Sequence, residues 1–286
     1  MLKGDIKMRI SLIQTSQNRR NELHRFIKSL NAQIGIDFKQ VQLIFVDQEN
    51  NLEVFDEIDK RIEFQYIKYK HCSLSHARNI GLKYVKGDYV GFPDDDCWYE
   101  PNALYKIINS LKTGFDGVVA KGTDEQGKLT NVFPNKQRVL DKFNRCGAIS
   151  YTIFVRFDRS VFFDENLGVG SPHGLGAGEE TDYILRLMEE NDFKILYNPE
   201  ITVHHPSFAP IINQQTLAKI KSYSCGNGYL MYKHNFPIGY VLKQIVRPML
   251  GFTVYWMCGK TNRAQHSFNI FTGRLKGYLF GLRKQI

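Results

Sequence analysis

The sequence predicts an α/β fold: a mostly parallel sheet flanked by helices, followed by a basic helical extension. Three observations carry this. Strand-like and helix-like segments alternate over the first 110 residues, the order that builds a parallel sheet covered on its faces. Asp94, Asp95 and Asp96 follow directly on one of those strands, where an open α/β sheet places its ligands. Finally, no Asp or Glu occurs after Glu200, while residues 206–286 hold 11 Lys and Arg. The upstream part keeps 27 of the 38 basic residues against all 29 acidic ones, a net of −2, so two electrostatically different regions meet near Pro206.

The elements follow in order. Residues 8–14 and 41–47 are short runs rich in β-branched and aromatic residues and read as strands. Between them Leu23, Phe26, Ile27, Leu30 and Ile34 recur at helical spacing. A strand is expected at 62–67 and a helix at 74–86, carried by Leu74, Ala77, Ile80, Leu82 and Val85. Asp88 to Phe92 forms the strand before the acidic run, and Pro101 opens the next helix, in the first-turn position that proline tolerates. Residues 148–155 read as a buried strand, and the five glycines of 168–178 as a mobile loop that covers substrate. The expected division is a catalytic domain over 7–205 and a basic, aromatic-rich helical region over 206–286.

Composition narrows the class. A chain of 286 residues, 43% hydrophobic and 13% aromatic, is long and apolar enough to fold rather than stay disordered. Its cysteines, Cys72, Cys97, Cys146, Cys225 and Cys258, are scattered and lack CxxC spacing. That argues against a disulfide framework or zinc site and for a reducing compartment. The opening MLKGDIKMRI has no apolar core of a signal peptide, and the expectation is a cytoplasmic protein.

Three adjacent carboxylates repel one another unless a cation spreads among them. A solvated acidic turn is the bland account; a divalent ion, Mn²⁺ or Mg²⁺, is the chemical one, since hard ions take carboxylate oxygens and leave room for phosphate and water. A second acidic group, Glu179, Glu180 and Asp182, opens a helix behind the glycine-rich loop. The helix dipole favours acids there, and Asp182 can pair with Arg186 four residues on. A carboxylate delivered by such a loop also suits a general base beside a substrate hydroxyl. His204 and His205 end a strand-like stretch; neighbours on a strand point to opposite faces, so at most one of them reaches a metal.

In this order the motifs resemble family-2 glycosyltransferases, which have the GT-A nucleotide-sugar-binding fold, a Rossmann-like α/β architecture. Gln14 to Arg19 is similar to the opening nucleotide-contacting segment, with Thr15 as a contact. Ile44 to Gln48 resembles the strand that usually ends in two aspartates, here Asp47 alone. His76-Ala77-Arg78-Asn79-Ile80-Gly81 matches the Ala-Arg-Asn-x-Gly block, and Asp94 and Asp96 fill the D-x-D positions. Gly178-Glu179-Glu180-Thr181-Asp182 resembles Gly-Glu-Asp-x-Asp, with Glu180 in the place of the base, and His205 fits the Pro-x5-His spacing from Pro199. The resemblance spans residues 8–205.

That resemblance implies an inverting hexosyl- or N-acetylhexosaminyltransferase of the bacterial surface-polysaccharide type. The donor is a nucleotide diphosphate sugar, UDP-linked by default and GDP-mannose otherwise. Thr15, Asp47, Arg78, Asn79, Asp94 and Asp95 would bind it; Asp96, Asp94 and His205 would hold Mn²⁺ or Mg²⁺. Glu180, with Glu179 and Asp182 as the adjacent acids, would serve catalysis. The acceptor is a glycan or lipid-linked hydroxyl. The basic aromatic tail fits an anionic membrane surface, peripheral on the inner face of the cytoplasmic membrane; its uncharged run from Pro248 to Gly259 is 12 residues, too short to span. Cations and aromatics also bind nucleic acid, but no such signature accompanies them, and no nucleic-acid partner is expected. Nucleotidyl transfer on the same fold and a non-catalytic nucleotide-sugar-binding module are the other readings.

Overall fold

The structure is a computed structural model and describes residues 8–17, 19–207 and 212–283. Asn18 of the opening segment, the first seven residues read for a leader, and residues 208–211 and 284–286 of the basic region lie outside them. The chain divides into two compact units. The first comprises residues 1–72, 76–162 and 184–207, and the second residues 73–75, 163–183 and 208–286.

The first unit is built on one nine-stranded sheet. Its strands are β1 (Ile10–Ser16), β2 (Val41–Asp47), β3 (Glu63–Lys68), β4 (Tyr89–Gly91), β5 (Trp98–Tyr99), β6 (Gly117–Thr123), β7 (Arg138–Val139), β8 (Ile153–Arg156) and β9 (Ile195–His204). They lie in the order β3-β2-β1-β4-β8-β6-β9-β5, with β7 on β9. Strands β1 to β4 are parallel, as the alternation predicts. Beyond β4 the sheet is mixed: β8 runs antiparallel between β4 and β6, and β5 and β7 pair antiparallel with β9.

Helices α1 (Arg20–Asn31), α2 (Leu74–Leu82) and α3 (Ala103–Leu111) fall in the predicted stretches. Leu23, Phe26, Ile27 and Leu30 of α1 are fully buried with Leu12, Leu43 and Phe45 of the sheet, which is where the apolar stripe of an amphipathic helix must go. Gly81 ends the Ala-Arg-Asn-x-Gly block for a steric reason: a Cβ there would lie 2.5 Å from Ile13 Cγ2 of β1. Pro101 differs from expectation. It precedes the helix, which starts at Ala103 after Asn102 with no side-chain cap; the turn closes through Ala103 N–H to Glu100 O.

The second unit is helical. It contains α5 (Gln214–Lys233), α6 (Ile238–Met257) and α7 (Thr261–Arg283), and the start of α4 (Glu179–Glu190). Helices α5 and α7 touch backbone to backbone: a Cβ at Gly277 would fall 1.9 Å from Cys225 O, and one at Gly228 2.1 Å from Arg274 O. The glycine-rich segment is more tied down than a mobile loop. Ser75 Oγ donates to Leu167 O at 2.6 Å, Gly168 N to Leu175 O and Gly176 N to Ser222 O, while Leu167 and Leu175 are buried with Cys225, Tyr229 and Leu230. Among the described residues no helix is long and apolar enough to cross a membrane.

Candidate active site

Strand β1 is flanked by β2 on one side and β4 on the other. The chain therefore reverses its direction of sheet growth between β1 and β4, and at such a switch point the loops diverge and leave a crevice at the carboxyl ends. Thr15 and Ser16 end β1, Asp47 ends β2, and Asp94, Asp95 and Asp96 follow β4.

The three aspartates meet different partners. Arg78, 1% exposed on α2, reaches Asp94 Oδ1 at 3.1 Å, and Ser150 Oγ donates to the same oxygen at 3.0 Å. Ser16 Oγ donates to Asp95 Oδ2 at 2.7 Å. Asp96 accepts from Arg19 and lies 2.9 Å from His205 Nε2. Burial pushes Asp94 above the usual carboxylate range despite Arg78 and His205. Burial likewise raises Asp95 to about 6, against the pull of Ser16 and Arg19. For Asp96 burial pulls upward too, but His205 and Arg19 outweigh it and hold its pKa below the ordinary value.

His205 is fixed from three sides. Its Nδ1 lies 2.7 Å from Pro206 O and its ring stacks on Tyr151 at 4.7 Å between centroids. A ring whose Nδ1–H is given to a carbonyl presents the Nε2 lone pair, the form that ligates metals. Burial lowers its pKa, yet Asp96 and Asp94 together raise it above the ordinary value. Asp94, Asp96 and His205 each offer one donor atom, and these atoms lie within 4.8 Å of one another. Two carboxylates and an imidazole suit a divalent ion of the Mn²⁺ type. The buried Gln14 Oε1 has no hydrogen-bond partner among the described residues, and Gln14 Nε2 lies 3.4 Å from Asp94 O. These residues fit a bound cation. His204, on the opposite face of the strand, lies 2.9 Å from Thr123 Oγ1 and stacks on Trp98.

Of the other expected donor contacts, Thr15 is half-buried and Asn79 is buried on α2. Asp47 is fully buried and already saturated. It accepts from the backbone N–H of Glu49 and of Asn51, from Asn51 Nδ2 and from Tyr66 OH. Burial raises its pKa, but these donors more than offset it and hold Asp47 low. This carboxylate shapes the turn after β2.

In the second unit Gly178, at φ +99°, adopts a backbone conformation that favours glycine, and it opens α4. Glu179 is buried and Glu180 half-buried in the first turn. Asp182 is 0% exposed and faces two side chains of α5 and its end: Lys233 Nζ lies 2.7 Å and His234 Nε2 3.0 Å from its Oδ1. Lys233 Nζ also lies 2.7 Å from Asp164 Oδ2. Arg186, four residues further along α4, donates to Phe162 O.

Arg19, Ser150 and Tyr151 were not singled out by motif. Arg19 closes the opening segment and its position there was the available signal; Ser150 and Tyr151 carry none, because β8 reaches β4 only through long-range pairing.

Fold and site together define a GT-A-type architecture with an acidic, histidine-bearing crevice at the switch point. The model of glycosyl transferase family 2 matches residues 11–174, and the chain belongs to that family. A glucosyl-dolichyl phosphate glucuronosyltransferase of Haloferax volcanii is 22% identical over 224 residues, covering 71% of this chain and 70% of the relative. The poly(ribitol-phosphate) β-N-acetylglucosaminyltransferase TarP of Staphylococcus aureus is 28% identical over 129 residues; the match covers 43% of this chain and only 39% of TarP. Among solved structures, S. aureus TarS 1–349 in complex with UDP-GlcNAc superposes with a TM-score of 0.56 at 13% identity, over 97% of this chain and 92% of that one. The mannosyltransferase PcManGT of Pyrobaculum calidifontis, in complex with GDP-Man and Mn²⁺, gives 0.63 at 9% identity, over 94% and 86%.

Proposed function

We propose that this glycosyltransferase inverts the anomeric carbon as it moves a hexosyl or N-acetylhexosaminyl group from a UDP-sugar to a hydroxyl of a glycan or lipid-linked acceptor. The acceptor belongs to a surface polysaccharide or glycolipid and is met at the inner face of the cytoplasmic membrane. The observation that carries the donor reading is the convergence of Asp94, Asp96 and His205 at the switch point. In the reaction the acceptor oxygen bonds to the anomeric carbon, the bond from that carbon to the diphosphate oxygen breaks, and the hydroxyl proton passes to Glu180. Arg78 holds Asp94 in place, and Thr15, Asn79 and Asp95 line the donor. Mn²⁺ or Mg²⁺ held by Asp94, Asp96 and His205 supplies positive charge against the departing diphosphate. GDP-mannose is the second donor reading, favoured by the PcManGT likeness.

The test is thermal stabilisation by UDP, GDP, CMP and their sugars, with and without Mn²⁺, for the wild type and Asp96→Ala. Stabilisation by one nucleotide class that needs Mn²⁺ and disappears in Asp96→Ala is expected. A folded protein that answers to no nucleotide overturns the donor reading and favours a likeness of fold alone.

A further inference from the structure

Helix α6 turns a long apolar row to solvent. Ile238, Leu242, Val246, Leu250 and Val254 recur every fourth residue and are 45–63% exposed, whereas Val241 and Ile245 of the same helix are buried. At about 100° per residue these five occupy an arc of roughly 160°. Exposed Lys243 and Arg247 border it at one edge, and Trp256 and Met257 extend it at the carboxyl end, 67% and 72% exposed. A surface helix ordinarily keeps this side polar. An apolar face of this extent marks an interaction surface, where single exposed residues would mean nothing.

Charge decides between two occupants. In a symmetric pairing of two copies the same patch meets itself. Such a pairing offers Lys243 and Arg247 no carboxylate from the partner copy's α5, α6 or α7, for no Asp or Glu follows Glu200. An anionic lipid surface complements both features: the apolar row enters the acyl boundary, the cations meet headgroup phosphates, and a tryptophan sits at the interface. Since no described helix can cross a membrane, the helix lies along the surface.

We propose that α6 docks flat on an anionic lipid surface, with Leu242 and Val246 inserted and Lys243 and Arg247 at the phosphates. This rests on the membrane placement proposed above and needs none of the transfer chemistry. The full chain is sedimented with vesicles of phosphatidylcholine alone or mixed with phosphatidylglycerol. Salt-sensitive binding to the mixed vesicles is expected. Lys243→Gln with Arg247→Gln weakens it roughly 30-fold, the loss of two surface-engaged cations. Leu242→Ser with Val246→Ser weakens it about tenfold or more. All four side chains are exposed, so both variants keep the wild-type unfolding temperature and nucleotide response, which separates a failure here from a failure of the donor reading. Absence of wild-type binding to the mixed vesicles, or equal binding by both variants, overturns the proposal. A wild-type dimer that Leu242→Ser with Val246→Ser makes monomeric overturns it too, and gives the row to a second copy.

Discussion

The two acidic clusters of this chain solve the same electrostatic problem in opposite ways. In the second unit, Asp182 is sealed from water against Lys233, which supplies a positive charge, and the next residue, His234, at the end of α5. Its charge is settled by partners on a packed helix. In the first unit, Asp94, Asp95 and Asp96 crowd together, two of them held above the usual carboxylate range by burial, and one of their cations is Arg19, whose side chain is 47% exposed. An exposed guanidinium can yield to an incoming ion or diphosphate more readily than a half-buried ammonium held between two carboxylates. The contrast is between a carboxylate sealed against side chains of a packed helix and a run of carboxylates crowded at the end of a strand.

The sharpest way to break this contrast is to exchange the roles. Glu180→Gln is expected to lower kcat about 10²–10⁴-fold, the usual worth of a general base, with UDP-sugar affinity unchanged by calorimetry. Normal turnover removes Glu180 from that role, and a larger loss in Glu179→Gln at intact donor affinity transfers it. Next in size, Asp182→Ala removes the buried carboxylate that His234 and Lys233 face, leaving Lys233 with Asp164 alone, and should cost about 3 kcal/mol of stability in urea unfolding. A fall in kcat without loss of stability would instead place Asp182 in the chemistry. A smaller effect is expected for Ser150→Ala, which removes one hydrogen bond to Asp94: about 1 kcal/mol, read as a several-fold weaker Mn²⁺-dependent donor affinity.

The smallest effect is a pH dependence. Burial raises the Asp164 pKa, but the hydrogen bond and charge of Lys233, with hydrogen bonds from Asn166, outweigh it, so the folded value lies below the ordinary carboxylate value. A depressed carboxylate adds stability that is complete above its unfolded pKa and lost as pH falls through the folded one. Asp164→Asn should therefore flatten the acid limb of stability below about pH 4, seen as unfolding temperature against pH. An unchanged acid limb would mean that Lys233 acts through Asp182 alone.

Much of the fold was legible in local pattern. Val41–Asp47 is a strand with the expected bounds, because β-branched and aromatic residues (Val41, Ile44, Phe45 and Val46) dominate it. Helix α1 follows from the spacing of its four buried residues. The antiparallel insertion of β8 between β4 and β6 was not legible, since no local signal reports which strands meet across 60 residues. The same limit applies to the site. Asp94, Asp96 and His205 are marked by motif and spacing, whereas Ser150 reaches Asp94 only through that insertion. The partners of Asp47 were not legible either, apart from its own turn: Glu49 and Asn51 lie within four residues, whereas Tyr66 reaches it from the next strand.

The glycine seam between α5 and α7 makes this chain a natural place to find conditional alleles. Where a Cβ would fall 1.9 Å from a backbone oxygen, no rotamer change relieves the clash, and Gly277→Ala must part the two helices along their length. Such a variant folds when stability is ample and fails when heat removes the margin. It would give a switch by temperature that leaves every residue of the acidic crevice untouched.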